Sequence, residues 1–181
     1  MKNGGLWSPE SCIARHRVAI VIPYRDRETN LKLFLNHIHP FLMRQQIDYG
    51  IFLVEPVEDI QFNRGLLMNI GYAEVKKMFM NEQNQTHFQC FAFHDVDLLP
   101  EVIQFHLFFF LENCFYKSFY FKDERNLYTC PEQPRHMSSA VSTFSYKLPY
   151  DTLFGGVTMF SNHQYEKVNG FSNRLKFQKL F

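Results

Sequence analysis

The sequence predicts an α/β fold built on a parallel sheet. Three observations carry that expectation. Val18-Ala19-Ile20-Val21-Ile22 is a continuous β-branched run that stops at Pro23, the pattern of a strand buried on both faces. Glu28 to Gln46 carries Leu31, Phe34, Leu35, Ile38 and Leu42 at helical spacing, the mark of an amphipathic helix. Strand-like and helix-like stretches then keep alternating, and a βαβαβ order implies right-handed crossovers between parallel strands.

The elements follow in order. Residues 1–17, with their Gly, Pro and Ser, read as an irregular lead-in. The first strand is 18–22, and the first helix is 28–46 with Pro40 near its end. Residues 49–54 form a second strand. Residues 63–79 form a second helix, with Leu66, Leu67, Ile70, Ala73 and Val75 as its candidate core. Residues 89–93 form a third strand that runs into Asp95-Val96-Asp97. Ligands in such sheets bind beyond the carboxyl ends of the strands. Two charged clusters sit there: Tyr24-Arg25-Asp26-Arg27 and Asp95-Val96-Asp97.

Composition narrows the class. With 181 residues and 46% apolar content, one domain with a sizeable core is expected and intrinsic disorder is excluded. Nineteen basic residues face 18 acidic ones, which argues against a nucleic-acid partner held by bulk charge. Cys12, Cys90, Cys114 and Cys130 form no CxxC pair, so the usual zinc spacing is absent. Their wide spacing suits disulfides or buried thiols. Asn84-Gln85-Thr86 is a glycosylation acceptor pattern. No apolar leader follows Met1, and Val102 to Phe121 is too interrupted by polar residues to read as a membrane span. Seven phenylalanines crowd Val102 to Lys122, either as a buried aromatic helix or as an insertion foreign to the fold.

Several side chains carry candidate chemistry. Alternation in an extended segment would put Asp95 and Asp97 on one face, where paired carboxylates suit a hard divalent cation. Solvated loop carboxylates are the competing reading. Arg25 and Arg27 would point the same way, and arginine forks suit phosphate oxygens. A solvated turn, with ion pairs to Asp26 and Glu28, competes. Arg64 stands at a helix start, where an anion is favoured. His87, Cys90 and His94 lack a further ligand to make a metal site, and His136 reads as a packed or surface histidine.

The order of these segments goes further than any one of them. It runs Val18 to Arg27, Arg44 to Gly50, Phe62-Asn63-Arg64, Asn69-Ile70-Gly71, Phe93 to Leu98, Gln133 to His136, Phe154 to Val157, and Asn169-Gly170-Phe171. This resembles the β-1,4-galactosyltransferase family, including its N-acetylgalactosaminyl members, over residues 4–100 and 123–173. The resemblance implies a Rossmann-like GT-A fold and an inverting enzyme of the Golgi lumen. Such enzymes use manganese to move galactose or N-acetylgalactosamine from a UDP-sugar to a terminal N-acetylglucosamine in β-1,4 linkage. Carried over residue by residue, it assigns Pro23, Tyr24, Arg25, Arg27, Phe62, Arg64, Asp95 and Val96 to the donor nucleotide. Asp97 becomes the metal ligand, Gly155 and Gly156 line the sugar site, and Cys90 pairs with Cys130.

The resemblance also marks departures. Past Asn173 the family continues into a Trp- and Gly-rich stretch ending in Glu-Asp-Asp-Asp, whereas here Arg174 to Phe181 follow. The general base, the acceptor platform and the remaining metal ligands are therefore expected outside this sequence, and no catalytic residue is assigned within it. Residues 18–173 read as a partial catalytic domain, 102–122 as a non-family insertion and 174–181 as a non-family tail. A membrane anchor is expected in the full-length protein. Leu153 stands where galactosyl members commonly carry tyrosine, and a smaller aliphatic residue leaves room for an acetamido group. A preference for UDP-N-acetylgalactosamine is the expectation. The alternative to a transferase is a catalytically inactive UDP-binding fragment or interaction remnant.

Overall fold

Among the described residues, the Val18–Ile22 run lies inside a six-stranded sheet. The computed structural model describes residues 5–57, 60–83, 85–101 and 126–173. The expectations placed on Asn84, on 102–122 and on 174–181 lie outside the described residues. In chain order the elements are β1 (Leu6–Trp7), β2 (Arg17–Pro23), α1 (Glu28–Arg44), β3 (Asp48–Val54), α2 (Arg64–Met78), β4 (Cys90–His94), β5 (Arg135–His136), β6 (Val157–Ser161) and α3 (Asn162–Lys167). The strand order is β1-β3-β2-β4-β6-β5.

The three strands read from the sequence are parallel, with β2 between β3 and β4. The sheet as a whole is mixed, because β1, β5 and β6 pair antiparallel to their neighbours. The antiparallel strands add to the parallel strands that the sequence predicts, and β1 falls within the segment read as an irregular lead-in. Among the described residues, the parallel strand–helix–strand alternation lies before residue 100. After it, β6 returns beside β4 in the opposite sense.

Both faces of β2 are covered, as its composition demands. Val18, Ile20 and Ile22 join Phe34, Ile38 and Leu42 of α1 in one cluster. Ala19 and Val21 join Met68, Tyr72 and Val75 of α2, with Phe91 and Phe93, in another. All five residues from Val18 to Ile22 have no exposed surface. The period-two alternation of the strand thus sorts its side chains between two helices.

The buried face of α2 differs from the sequence reading. Leu67, Met68, Gly71, Tyr72 and Val75 are buried, whereas Ile70 is 42% exposed and Ala73 faces solvent. A glycine causes the difference. A Cβ on Gly71 would come within 2.5 Å of Val21 Cγ1 and 2.7 Å of Val54 Cγ2. The helix lies on the sheet along its glycine side, and counting apolar side chains misses that side. Asn63 caps the amino end by accepting from the Leu66 amide at 3.0 Å. The cap fixes where Arg64 stands.

Candidate functional site

At the carboxyl end of β2 the chain leaves Pro23, and the Tyr24 amide donates to Val54 O at 3.0 Å. Asp26 then adopts a φ of 48°. This left-handed residue breaks the strand alternation, so Arg25 and Arg27 have different surroundings instead of one shared direction. The Arg25 guanidinium lies over the Phe62 ring, 5.6 Å from its centroid. Among the described residues, Arg25 Nη2 is buried without a hydrogen-bond partner. Burying a cationic donor unpaired is costly unless an anion completes it. Arg27 immediately precedes α1 and reaches Asp97, with 3.8 Å between Nη1 and Oδ2. The competing reading, a turn with ion pairs to Asp26 and Glu28, is not what forms among the described residues: Arg27 pairs with Asp97 and Glu28 with Lys32.

At the end of β4 the two carboxylates separate. Residues 95–97 form a turn, with the Leu98 amide donating to Asp95 O at 3.2 Å. Val96 is 7% exposed and belongs to the core. Asp95 turns inward and accepts from Arg64 Nε at 2.5 Å. Asp97 stays outward, its side chain 52% exposed. The one-face arrangement of Asp95 and Asp97 is therefore corrected: a turn cannot keep strand alternation. Burial pushes the Asp95 carboxyl up, and the Arg64 guanidinium opposes that.

Behind the turn sits a polar contact that sequence reasoning missed. His94 is wholly buried. Its Nδ1 meets the Asp95 carbonyl at 2.8 Å and its Nε2 meets Tyr128 Oη at 2.8 Å. A carbonyl only accepts, so Nδ1 carries the proton and Nε2 accepts from the tyrosine. Burial pushes the His94 pKa down to about 4, which keeps the ring neutral near pH 7. The sequence weighed His94 only as a metal ligand beside His87 and Cys90, and gave no sign of its pairing with Tyr128.

A second strand end closes the site. Gly156, with a φ of 68°, donates no side chain. Its carbonyl accepts from Arg64 Nη2 at 3.1 Å and from the Asp95 amide at 3.0 Å. Gly155 precedes it, and a Cβ there would meet nothing within 4 Å. Leu153, half-buried, closes a turn by donating to Tyr150 O at 3.1 Å. His136 packs here as expected, its Nε2 donating to Gly155 O at 3.0 Å.

Direct contacts thus join Arg27 to Asp97, and Arg64 to Asp95 and Gly156. Arg25 contacts Phe62, two residues before Arg64, while Pro23 ends the buried strand and Tyr24 packs on the core. Cys90 and Cys130 form a disulfide with a Cα separation of 5.4 Å. Cys90 opens β4, at the opposite end of the strand from the aspartates. Its bond also removes it from any metal reading with His87 and His94.

The donor set can be tested against a divalent cation. Among the described residues no group of three or more His, Cys, Asp or Glu side chains gathers. Asp95 is engaged by Arg64. Asp97 offers one exposed carboxylate, which fits a hard cation as a single ligand whose other oxygens come from elsewhere.

Similarity to known proteins places the chain in a family. The family model described as the N-terminal region of glycosyl transferase group 7 matches residues 1–107. The model described as the N-terminal domain of galactosyltransferase matches residues 135–177. A β-1,4-galactosyltransferase 4 from Cricetulus griseus is 44% identical over 171 residues, 94% of this chain and 42% of that protein. A human β-1,4-galactosyltransferase 1 is 38% identical over 173 residues, 96% of this chain and 36% of that protein. The chain therefore spans well under half the length of these relatives. The catalytic domain of Drosophila β-1,4-galactosyltransferase 7, solved with xylobiose, superposes with a TM-score of 0.65 at 27% identity, covering 91% of this chain and 57% of that one. A mutant of the same enzyme, solved with manganese, UDP-Gal and xylobiose, gives a TM-score of 0.63 at the same identity and coverage. The sheet is thus the Rossmann-like GT-A fold, and the chain belongs to the β-1,4-galactosyltransferase family of group 7 glycosyl transferases.

Proposed function

We propose that the protein is an inverting, UDP-sugar-dependent β-1,4-glycosyltransferase, and that these residues carry the donor half of its site. The buried, unpartnered Nη2 of Arg25 at the carboxyl end of β2 carries the reading. An anionic diphosphate would complete it, with Arg64 as a second guanidinium for the same ligand and Phe62 and Tyr24 beside the base. In an inverting transfer the acceptor hydroxyl oxygen attacks the anomeric carbon as the bond to UDP breaks. The hydroxyl proton passes to a carboxylate base, whose place in this family lies beyond the residues described. Negative charge grows on the departing diphosphate, and fixed guanidinium groups stabilise it. Manganese, held in part by Asp97, would add positive charge at that diphosphate.

The sugar would lie against Gly155 and Gly156. Leu153 in place of a tyrosine supports N-acetylgalactosamine as the preferred donor sugar, with galactose the other candidate. Terminal N-acetylglucosamine on a glycan is the proposed acceptor. The Cys90–Cys130 disulfide suits an oxidising compartment, which supports the Golgi lumen.

Calorimetric titration with UDP, with and without manganese, tests the donor site. Manganese-dependent binding that Arg25→Gln weakens about tenfold is the expected result. Absence of UDP binding overturns the reading. Binding of UDP-sugars without transfer to N-acetylglucosamine favours the inactive UDP-binding alternative.

A further inference from the structure

We infer that Ser138 is a positioning residue that holds the Gly155–Gly156 turn in shape for the sugar of the donor. The inference rests on the donor-site reading above. Its motivation is local and independent of it. Ser138 Oγ donates to Gly155 O at 2.7 Å and accepts from the Val157 amide at 2.9 Å. One hydroxyl therefore clasps the backbone on both sides of Gly156. A Cβ on Gly156 would come within 2.5 Å of that same oxygen and 2.8 Å of Leu98 Cδ1. Glycine and serine are fitted to each other: the left-handed residue leaves the space that the hydroxyl fills.

The consequence reaches the charged residues. With Gly155 O and the Val157 amide both held, the Gly156 carbonyl is aimed at Arg64 Nη2 and the Asp95 amide, 3.1 and 3.0 Å away. His136 adds a second donor to Gly155 O. Beyond Gly155 lies open space, since a Cβ there would touch nothing within 4 Å. The clasp thus sets one wall of that space and leaves it free. Removing the hydroxyl leaves the Val157 amide unpaired and Gly155 O with His136 as its remaining donor, and an unsatisfied part-buried group is worth about a tenfold change in an equilibrium. The loss should fall on the sugar more than on the nucleotide, because Arg64 keeps its separate anchor on Asp95 and Arg25 and Phe62 stand on other elements.

The test compares UDP-galactose with UDP, both with manganese, by calorimetry on the wild type and on Ser138→Ala. A folded Ser138→Ala chain is expected to lose about tenfold in affinity for UDP-galactose and no more than about twofold for UDP. Equal losses for both ligands, or none for either, overturn the inference. Hydrogen exchange on the wild type gives a second reading that needs no variant. UDP-galactose should slow the Gly156 and Val157 amides beyond what UDP does, and identical protection by the two overturns the inference. If the wild type binds no UDP, the donor-site reading itself has failed, which is a different result.

Discussion

The side chain of Asn69 pairs with the backbone of Phe171 as a neighbouring strand would. Its Nδ2 donates to Phe171 O at 2.8 Å and its Oδ1 accepts from the Phe171 amide at 2.9 Å. The same oxygen accepts from Tyr165 Oη at 2.5 Å. Two segments a hundred residues apart in sequence, Asn69-Ile70-Gly71 and Asn169-Gly170-Phe171, are thus one structural unit. Gly170 belongs to it for a steric reason, because a Cβ there would sit 2.5 Å from Asn69 Oδ1.

Asn69→Leu keeps the volume and removes every one of these bonds. It leaves a backbone amide and a carbonyl unpaired, so a loss of about 3 kcal/mol is expected. Asn69→Asp keeps the accepting oxygen and should lose about half as much. Urea unfolding followed by circular dichroism measures both. Equal losses in the two variants would assign no role to the accepting oxygen.

Arg64→Met removes the partner of Asp95. The two side chains are only 14% and 29% exposed, so the carboxylate left behind costs about 2 kcal/mol near pH 7, less than in a fully buried pair. Without the guanidinium the carboxyl rises further above its ordinary range. A carboxyl whose pKa is higher folded than unfolded loses stability as pH rises through that interval. The deficit of the variant relative to the wild type should therefore shrink as the pH is lowered toward 4. Thermal unfolding across pH 4 to 8 follows it.

His94 has the opposite sign. Its folded pKa of about 4 lies below the ordinary 6.5, so the unfolded chain binds the extra proton. Stability should fall as pH drops from about 6.5 toward 4, by on the order of 3 kcal/mol over the whole window. His94→Gln should flatten that slope. An unchanged slope in the variant would assign the acid loss to other groups.

Reducing the Cys90–Cys130 disulfide opens a loop with a sequence separation of 40. Chain entropy puts the loss at about 4 kcal/mol. Cys130→Ser should match it in chemical unfolding under oxidising conditions, and reductant should leave that variant's stability unchanged with respect to this pair.

Gly155→Ala separates sugar from nucleotide. The methyl enters open space at an ordinary backbone conformation, so folding should be unaffected within about 0.5 kcal/mol. If the sugar occupies that space, UDP-galactose affinity should fall about tenfold while UDP affinity holds. Leu153→Tyr should lower UDP-N-acetylgalactosamine binding relative to UDP-galactose.

How much was legible depends on which interactions are local. The run Val18 to Ile22 specifies a doubly buried strand by composition alone, because five adjacent apolar residues have no polar face to offer water. Helix α1 follows from spacing, since Phe34, Ile38 and Leu42 recur on one side. The motif order identified the family, and with it the Cys90–Cys130 pair. Chain proximity could not decide the rest. The turn at Asp95-Val96-Asp97 separates two carboxylates that an extended strand would have aligned, because Val96 is drawn into the core. The burial of Gly71 in place of Ile70 depends on how closely α2 approaches Val21 and Val54. Strand β6 runs antiparallel to β4 because of long-range pairing that no local period records. Ser138 and His94 matter only through backbone groups brought to them from Gly155, Val157 and Asp95. Burial and periodicity are properties of neighbouring residues in sequence, whereas hydrogen-bond partners at a strand end are chosen by packing in space.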